Sequence, residues 1–164
     1  MDAKTICLQQ LSHLSTAVIM GRQAPHKAVL LLAIMDMVES GEITRPRIVL
    51  TKQLEDAFEK EWKRFIGAPI VFKCKVATPF WHMQNEPFYS LFLNTGEEIK
   101  GFNNPYSVKR LREETYAVID RDLFKLMQKE DSRTELRELL IGKYLQGLHS
   151  DLAPSALNDN IVSA

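Results

Sequence analysis

Gly21-Arg22-Gln23-Ala24-Pro25-His26-Lys27 runs directly into Ala28-Val29-Leu30-Leu31-Leu32-Ala33-Ile34-Met35, so two potential cations open a helix too apolar to lie on a surface. Pro25 suits the first helical position, because its ring presets φ and its missing N–H is not needed there. The free amides that follow it, with His26 and Lys27, then face one spot, and that spot suits an anion. Cations at a helix N-terminus oppose the dipole and cost a few tenths to about 1 kcal/mol unless a ligand or an acidic neighbour neutralises them. The plainer reading is that His26 packs and Lys27 reaches past the core to water.

A second candidate is Thr78-Pro79-Phe80-Trp81-His82, a proline and an aromatic pair beside a hydroxyl and an imidazole. Read as the start of a strand, it sends Phe80 and His82 to one face and Trp81 to the other. Pro79, rigid and without a donor, would wall an apolar hollow. A third is Lys109, Arg110 and Arg112 at a helix start after Ser107, although Glu113 and Glu114 follow and a solvated face accounts for them equally well. Lys73, Lys75 and Lys100 add positive charge nearby in sequence.

Enzymatic constellations are sparse. The histidines at 13, 26, 82 and 149 have no metal-ligand spacing, and no Gly-rich phosphate loop, serine elbow or CxxC occurs. Asp56 with Glu61-Trp62-Lys63 has the residues of an acidic-x-Lys metal site, but it falls in a helix, where residues two apart point away from each other. The reading therefore calls for no metal and no cofactor, and His26 or His82 as a lone acid or base is the remaining hydrolytic option.

The elements that would position these residues follow from periodicity and caps. The chain's 164 residues, 45% hydrophobic, make one domain with a real core, and 21 basic against 21 acidic residues leave no whole-molecule field toward nucleic acid or membrane. Cys7 and Cys74 form neither a zinc set nor a disulfide framework; a reducing cytoplasm is expected, and no apolar run reaches the roughly 20 residues of a membrane span. Cys7, Leu11, Leu14 and Val18 predict a first helix ending near Gly21, and the Pro25 helix stops at Glu39-Ser40-Gly41. Pro46 enforces an extended Arg47 to Leu50, and Thr51 caps a third helix with Leu54, Phe58, Trp62 and Phe65 inward, ending at Gly67.

Ile70-Val71-Phe72, Phe80 to Met83 and Phe88 to Leu93 read as strands, the last two forming a hairpin about Gln84-Asn85-Glu86-Pro87. Ser107 caps a helix with Val108, Leu111, Thr115 and Val118 inward, Asp120 caps a short one, and Ser132-Arg133-Thr134-Glu135 reads as a capping box for the last, which carries Leu136, Leu139, Leu140 and Tyr144. The expected fold is mainly α with a small antiparallel hairpin or sheet (α+β): a winged-helix-like core with extra C-terminal helices. Residues 1–147 form the domain, and 148–164 a tail or the start of a linker. Glu55, Asp56, Glu59 and Glu61 make the third helix a poor phosphate binder, so another surface must meet any DNA.

Ala24-Pro25-His26-Lys27 with its apolar helix, then Pro79-Phe80-Trp81-His82-Met83, then Ser107-Val108-Lys109-Arg110-Leu111-Arg112, resembles over roughly residues 1 to 147 the sulfur-binding domain of phosphorothioation-dependent, type IV, McrA-like HNH restriction endonucleases. The resemblance implies a bacterial-defence recognition module for double-stranded DNA whose backbone carries sulfur in place of a non-bridging oxygen. A separate HNH nuclease domain, in a longer chain or a partner, would do the cutting, and homodimerisation is a further option. It implies that His26 and Lys27 hold phosphates while Thr78, Pro79 and His82 form the sulfur pocket. Arg22, Lys109 and Arg110 are added as DNA contacts from their positions. Thr78 stands where the family pattern has an aromatic residue, and His82 where it has a small one, which makes the hollow more polar. Sulfur is a poor hydrogen-bond acceptor, so it is cheaply buried, whereas an unpaired oxygen there costs roughly 2 kcal/mol or more. A few tens of Å2 of sulfur contact adds only about 1 kcal/mol. The alternative from another class is a protein–protein or dimerisation module of a restriction system, docking through its aromatic hairpin and final helices.

Overall fold

A computed structural model describes residues 1–67 and 72–148. Of the expected 148–164 tail only Leu148 is described, and it is buried in the core; the rest of the tail, with His149, and also Ile70 and Val71 lie outside the described residues. Helix α1 (Ala3–Ser12) starts where the Asp2 carboxylate accepts from the Thr5 amide. It ends early because Tyr144 takes its last turn: the phenol donates to the Leu11 carbonyl and accepts from the Leu14 amide. Val18, expected on this helix, is instead exposed in β1 (Val18–Ile19), which pairs antiparallel with β2 (Arg22–Gln23) about Met20 and Gly21. Both turn residues have positive φ, +53° and +77°, the geometry a two-residue hairpin turn requires.

Helix α2 (His26–Glu39) begins immediately after Pro25, which acts as its N-cap, and is buried over nearly its whole length. It ends at Gly41, with φ +84°. After β3 (Arg47–Ile48), Thr51 caps α3 (Lys52–Phe65), accepting from the Leu54 amide at 3.1 Å. Leu54, Phe58 and Trp62 face the core as their spacing predicts.

Phe80 to Met83 is not a strand. Ala77–His82 is helix α4, continued by a 3-10 turn over Met83–Asn85. Pro79 sits in the first turn, where no N–H is needed, and the helix buries Phe80 and Trp81 together, which an alternating strand cannot do. The sheet hairpin is instead β4 (Tyr89–Leu93) with β5 (Glu98–Ile99). Helix α5 (Val108–Glu114) is capped by Ser107 as expected, but Thr115 and Val118 do not continue it. Thr115–Ile119 is strand β6, inserted between β3 and β4, so that the sheet order is β3-β6-β4-β5 with antiparallel neighbours. Its β-branched and aromatic residues favour the pleat, with Thr115, Ala117 and Ile119 inward and Tyr116 and Val118 outward.

Asp120 caps α6 (Arg121–Gln128). Helix α7 (Glu130–Leu140) starts two residues before the expected capping box, and the Ser132 hydroxyl donates to the Leu126 carbonyl instead of capping. A π-helical turn over Ile141–Leu145 follows α7. The fold is α+β, with α2 at its centre, packed by α3, α4, α6 and α7. Relative to a winged-helix order of helix, helix, short strand, helix and hairpin, the chain has the β1–β2 hairpin between α1 and α2, α4 between α3 and the β4–β5 hairpin, and β6 between β3 and β4 in the sheet.

Candidate functional site

Where α4 packs across the start of α2, His26, Lys27, Thr78, Pro79 and His82 line one cavity of about 430 Å3. The two sequence patches, some fifty residues apart, thus meet. The chain before α2 contributes Ser15, Thr16, Ala17 and Ala24, and the far rim is Asn85 and Phe102. Ala17 and Ala24 are held together by a backbone hydrogen bond of 2.7 Å, which fastens the base of the β1–β2 hairpin beside the cavity. Carbon surface from Pro79, the alanines and Phe102 therefore alternates with hydroxyl, amide and imidazole groups.

The cations are less available than their position suggested. Lys27 is buried, and its Nζ donates to Glu86 Oε2 at 2.5 Å and to the Ser15 carbonyl at 2.6 Å. Glu86 Oε2 also accepts from the Ser15 amide at 2.9 Å. An acidic neighbour thus neutralises the cation that opposes the α2 dipole. The His26 ring is packed against Trp62, with centroids 4.8 Å apart, and edge-on to Phe72 at 6.1 Å. Its Nε2–H donates to the Lys73 carbonyl at 2.7 Å, which fixes the tautomer when the ring is neutral. Burial pushes the His26 pKa below its ordinary value, outweighing that hydrogen bond, and burial with the Lys27 charge does the same for His82. At neutral pH both imidazoles are uncharged, and the cavity carries no uncompensated positive side chain.

The added DNA-contact candidates lie outside the cavity lining. Arg22 is exposed on β2, two residues before Ala24. Arg110 donates to both carboxylate oxygens of Glu114, at 2.9 and 3.2 Å, and lies over the Tyr106 ring, while Lys109 is exposed one residue earlier. Tyr106 packs on Trp81 of α4, so the Arg110 patch reaches the cavity wall only through two rings. Among the described residues no group of three or more His, Cys, Asp or Glu side chains could hold a metal ion. No helix among them is long and apolar enough to cross a membrane.

Sequence reasoning missed Glu86, Asn85 and Phe102. Glu86 read only as part of a turn-like break, and Phe102 had no periodic neighbour to give it a role. No family model matches the chain, and neither does any curated protein.

Proposed function

We propose that this chain is a non-catalytic DNA-binding module that takes a phosphorothioate of the DNA backbone into the α2–α4 cavity and directs a nuclease located elsewhere to that DNA. The supporting observation is the convergence of His26, Lys27, Thr78, Pro79 and His82 on that single cavity. A backbone sulfur meets the Pro79 ring and alanine carbon at little desolvation cost, whereas a phosphate oxygen in the same place loses water and finds Lys27 already paired. Selectivity then comes chiefly from excluding oxygen, and exposed cations such as Arg22 and Lys109 supply sequence-independent affinity. The reading fits a reducing cytoplasm, in which Cys7 and Cys74 remain free thiols.

Burial takes Phe80, Trp81 and Phe88 out of the docking alternative, which is left with half-buried Phe92 of β4, stacked on Tyr116, as its hairpin ring. The test is a binding titration of matched sulfur and oxygen duplexes. Wild type is expected to prefer sulfur, and Pro79→Ala to narrow that preference with the fold intact. Equal affinity of wild type for both duplexes removes the sulfur reading, and salt-independent or absent binding removes the DNA reading.

A further inference from the structure

A second cavity of about 360 Å3 adjoins the first, and Asn85 and Phe102 line both. It falls within the roughly 300–1,000 Å3 range of small-ligand pockets. Phe102 is 78% exposed, yet its backbone is held firmly: its carbonyl accepts from Trp81 Nε1 at 3.3 Å, and the preceding Gly101 amide donates to Gln84 Oε1 at 3.2 Å. Gly101 also lies so close to the Trp81 ring that an added Cβ would stand 3.4 Å from Cζ2. An aromatic ring held out to solvent on a fixed strap is pre-organised for a flat partner, because little ordering remains to be done on binding. Beside it, the exposed Asn85 amide makes no side-chain hydrogen bond among the described residues. Buried Glu86, which holds Lys27 and Ser15 in the first cavity, lines the second as well.

We infer that Asn85 and Phe102 bind the nucleobase adjoining the modified linkage, so that the second cavity reads base identity next to the backbone atom held in the first. The inference rests on the phosphorothioate reading above. An amide presents one donor and one acceptor side by side, which matches the major-groove edge of adenine, and the exposed ring packs beside it against sugar and base-edge carbon. Asn85 therefore discriminates among bases, and Phe102 adds affinity with little preference. Asn85 and Phe102 line both cavities, so the two readings share a wall.

The test is a panel of duplexes carrying each of the four bases on either side of one linkage, made with sulfur and with oxygen, titrated by fluorescence anisotropy. The proteins are wild type, Asn85→Ala and Phe102→Ala, and thermal melting verifies folding. Wild type is expected to spread the four sulfur duplexes over about tenfold in Kd. Asn85→Ala should collapse that spread, and Phe102→Ala, by removing buried ring contact, should weaken all sulfur duplexes alike by about fivefold. Sulfur preference without any base spread, or a spread that survives Asn85→Ala, overturns this inference and leaves the phosphorothioate reading standing. Loss of sulfur preference in wild type overturns both.

Discussion

Glu86→Gln isolates the electrostatic logic of the cavity. The wild-type carboxylate, itself buried, holds buried Lys27 Nζ at 2.5 Å and the Ser15 amide at 2.9 Å. Removing one partner of a buried ion pair outright costs about 3–5 kcal/mol, because the other charge is stranded. Glutamine keeps an acceptor for both donors and loses only the charge, so a smaller loss of about 1–3 kcal/mol is expected, roughly the difference a charged hydrogen bond makes. Bound DNA returns the missing negative charge. The variant should therefore gain more thermal stability from duplex than wild type does, and it should bind unmodified duplex more tightly, by roughly fivefold for about 1 kcal/mol. A newly competent phosphate contact also steepens the plot of log K against log salt by about 0.9. Because Lys27 becomes available to oxygen, the sulfur-to-oxygen ratio should shrink. The assay is anisotropy with both duplexes at several salt concentrations, alongside melting curves with and without DNA. An unchanged salt slope together with an unchanged ratio would refute the idea that Glu86 withholds Lys27 from phosphate.

Glu61 is buried at the α2–α3 contact, where burial, and then a hydrogen bond with Asp36, raise its pKa to about 7. The folded state thus binds a proton that the unfolded chain releases near 4.5. Stability should fall as pH rises from about 4.5 to 7, and Glu61→Gln should flatten that fall, gaining on the order of 2–3 kcal/mol at pH 8 and little at pH 4 in denaturant titrations; a gain independent of pH would contradict it. His26 and His82 have lowered pKa values, so lowering pH through that range should charge them, strengthen binding to both duplexes and narrow the sulfur preference, while pH 7 and 8 give nearly the same Kd. Because the unfolded chain takes up those protons more readily, the same acidification should reduce stability below pH about 6.5. Met20 holds φ +53° at the exposed hairpin tip, and Met20→Asn should raise stability by about 0.5–1 kcal/mol in thermal melts, since asparagine tolerates that conformation better.

Elements governed by local hydrogen bonding were legible from sequence. Thr51, Ser107 and Asp120 each accept from an amide two or three residues on, and Gly41 and Gly67 take up the positive φ that helix ends favour. Elements governed by what lies across the core were not. Residues 77–82 are too few to show a helical period, and their aromatic content imitates a strand until both adjacent rings are seen buried, Phe80 against Tyr89 and Trp81 against Tyr106. Thr115 and Val118 fit the helical spacing of Val108 and Leu111, yet β3 and β4 offer them a complete antiparallel ladder on both sides. Of the candidate site, His26, Lys27, Thr78, Pro79 and His82 were legible as chemistry in two patches. The Glu86 contact was not, because it joins positions 59 residues apart.

Helix α2 is charged the wrong way at both ends. Its first turn carries Lys27 and no acid, while its last turn carries Asp36 and Glu39 and no base. Against the dipole, each arrangement alone costs up to about 1 kcal/mol, and each is offset from far away in sequence. Glu86 takes the N-terminal cation; Arg137 donates to Asp36 at 2.7 Å and to Glu39 at 2.8 Å at the other end. A helix buried on nearly all sides could slide or rotate among equally greasy neighbours, since apolar contact has no direction. Paired charges do have direction, and here they clamp both ends of the rod to different elements. The N-terminal clamp holds Lys27 against the loop through Ser15 and places it opposite Pro79. Arg137 of α7 thus anchors the C-terminal end of the helix whose N-terminal end carries the cavity.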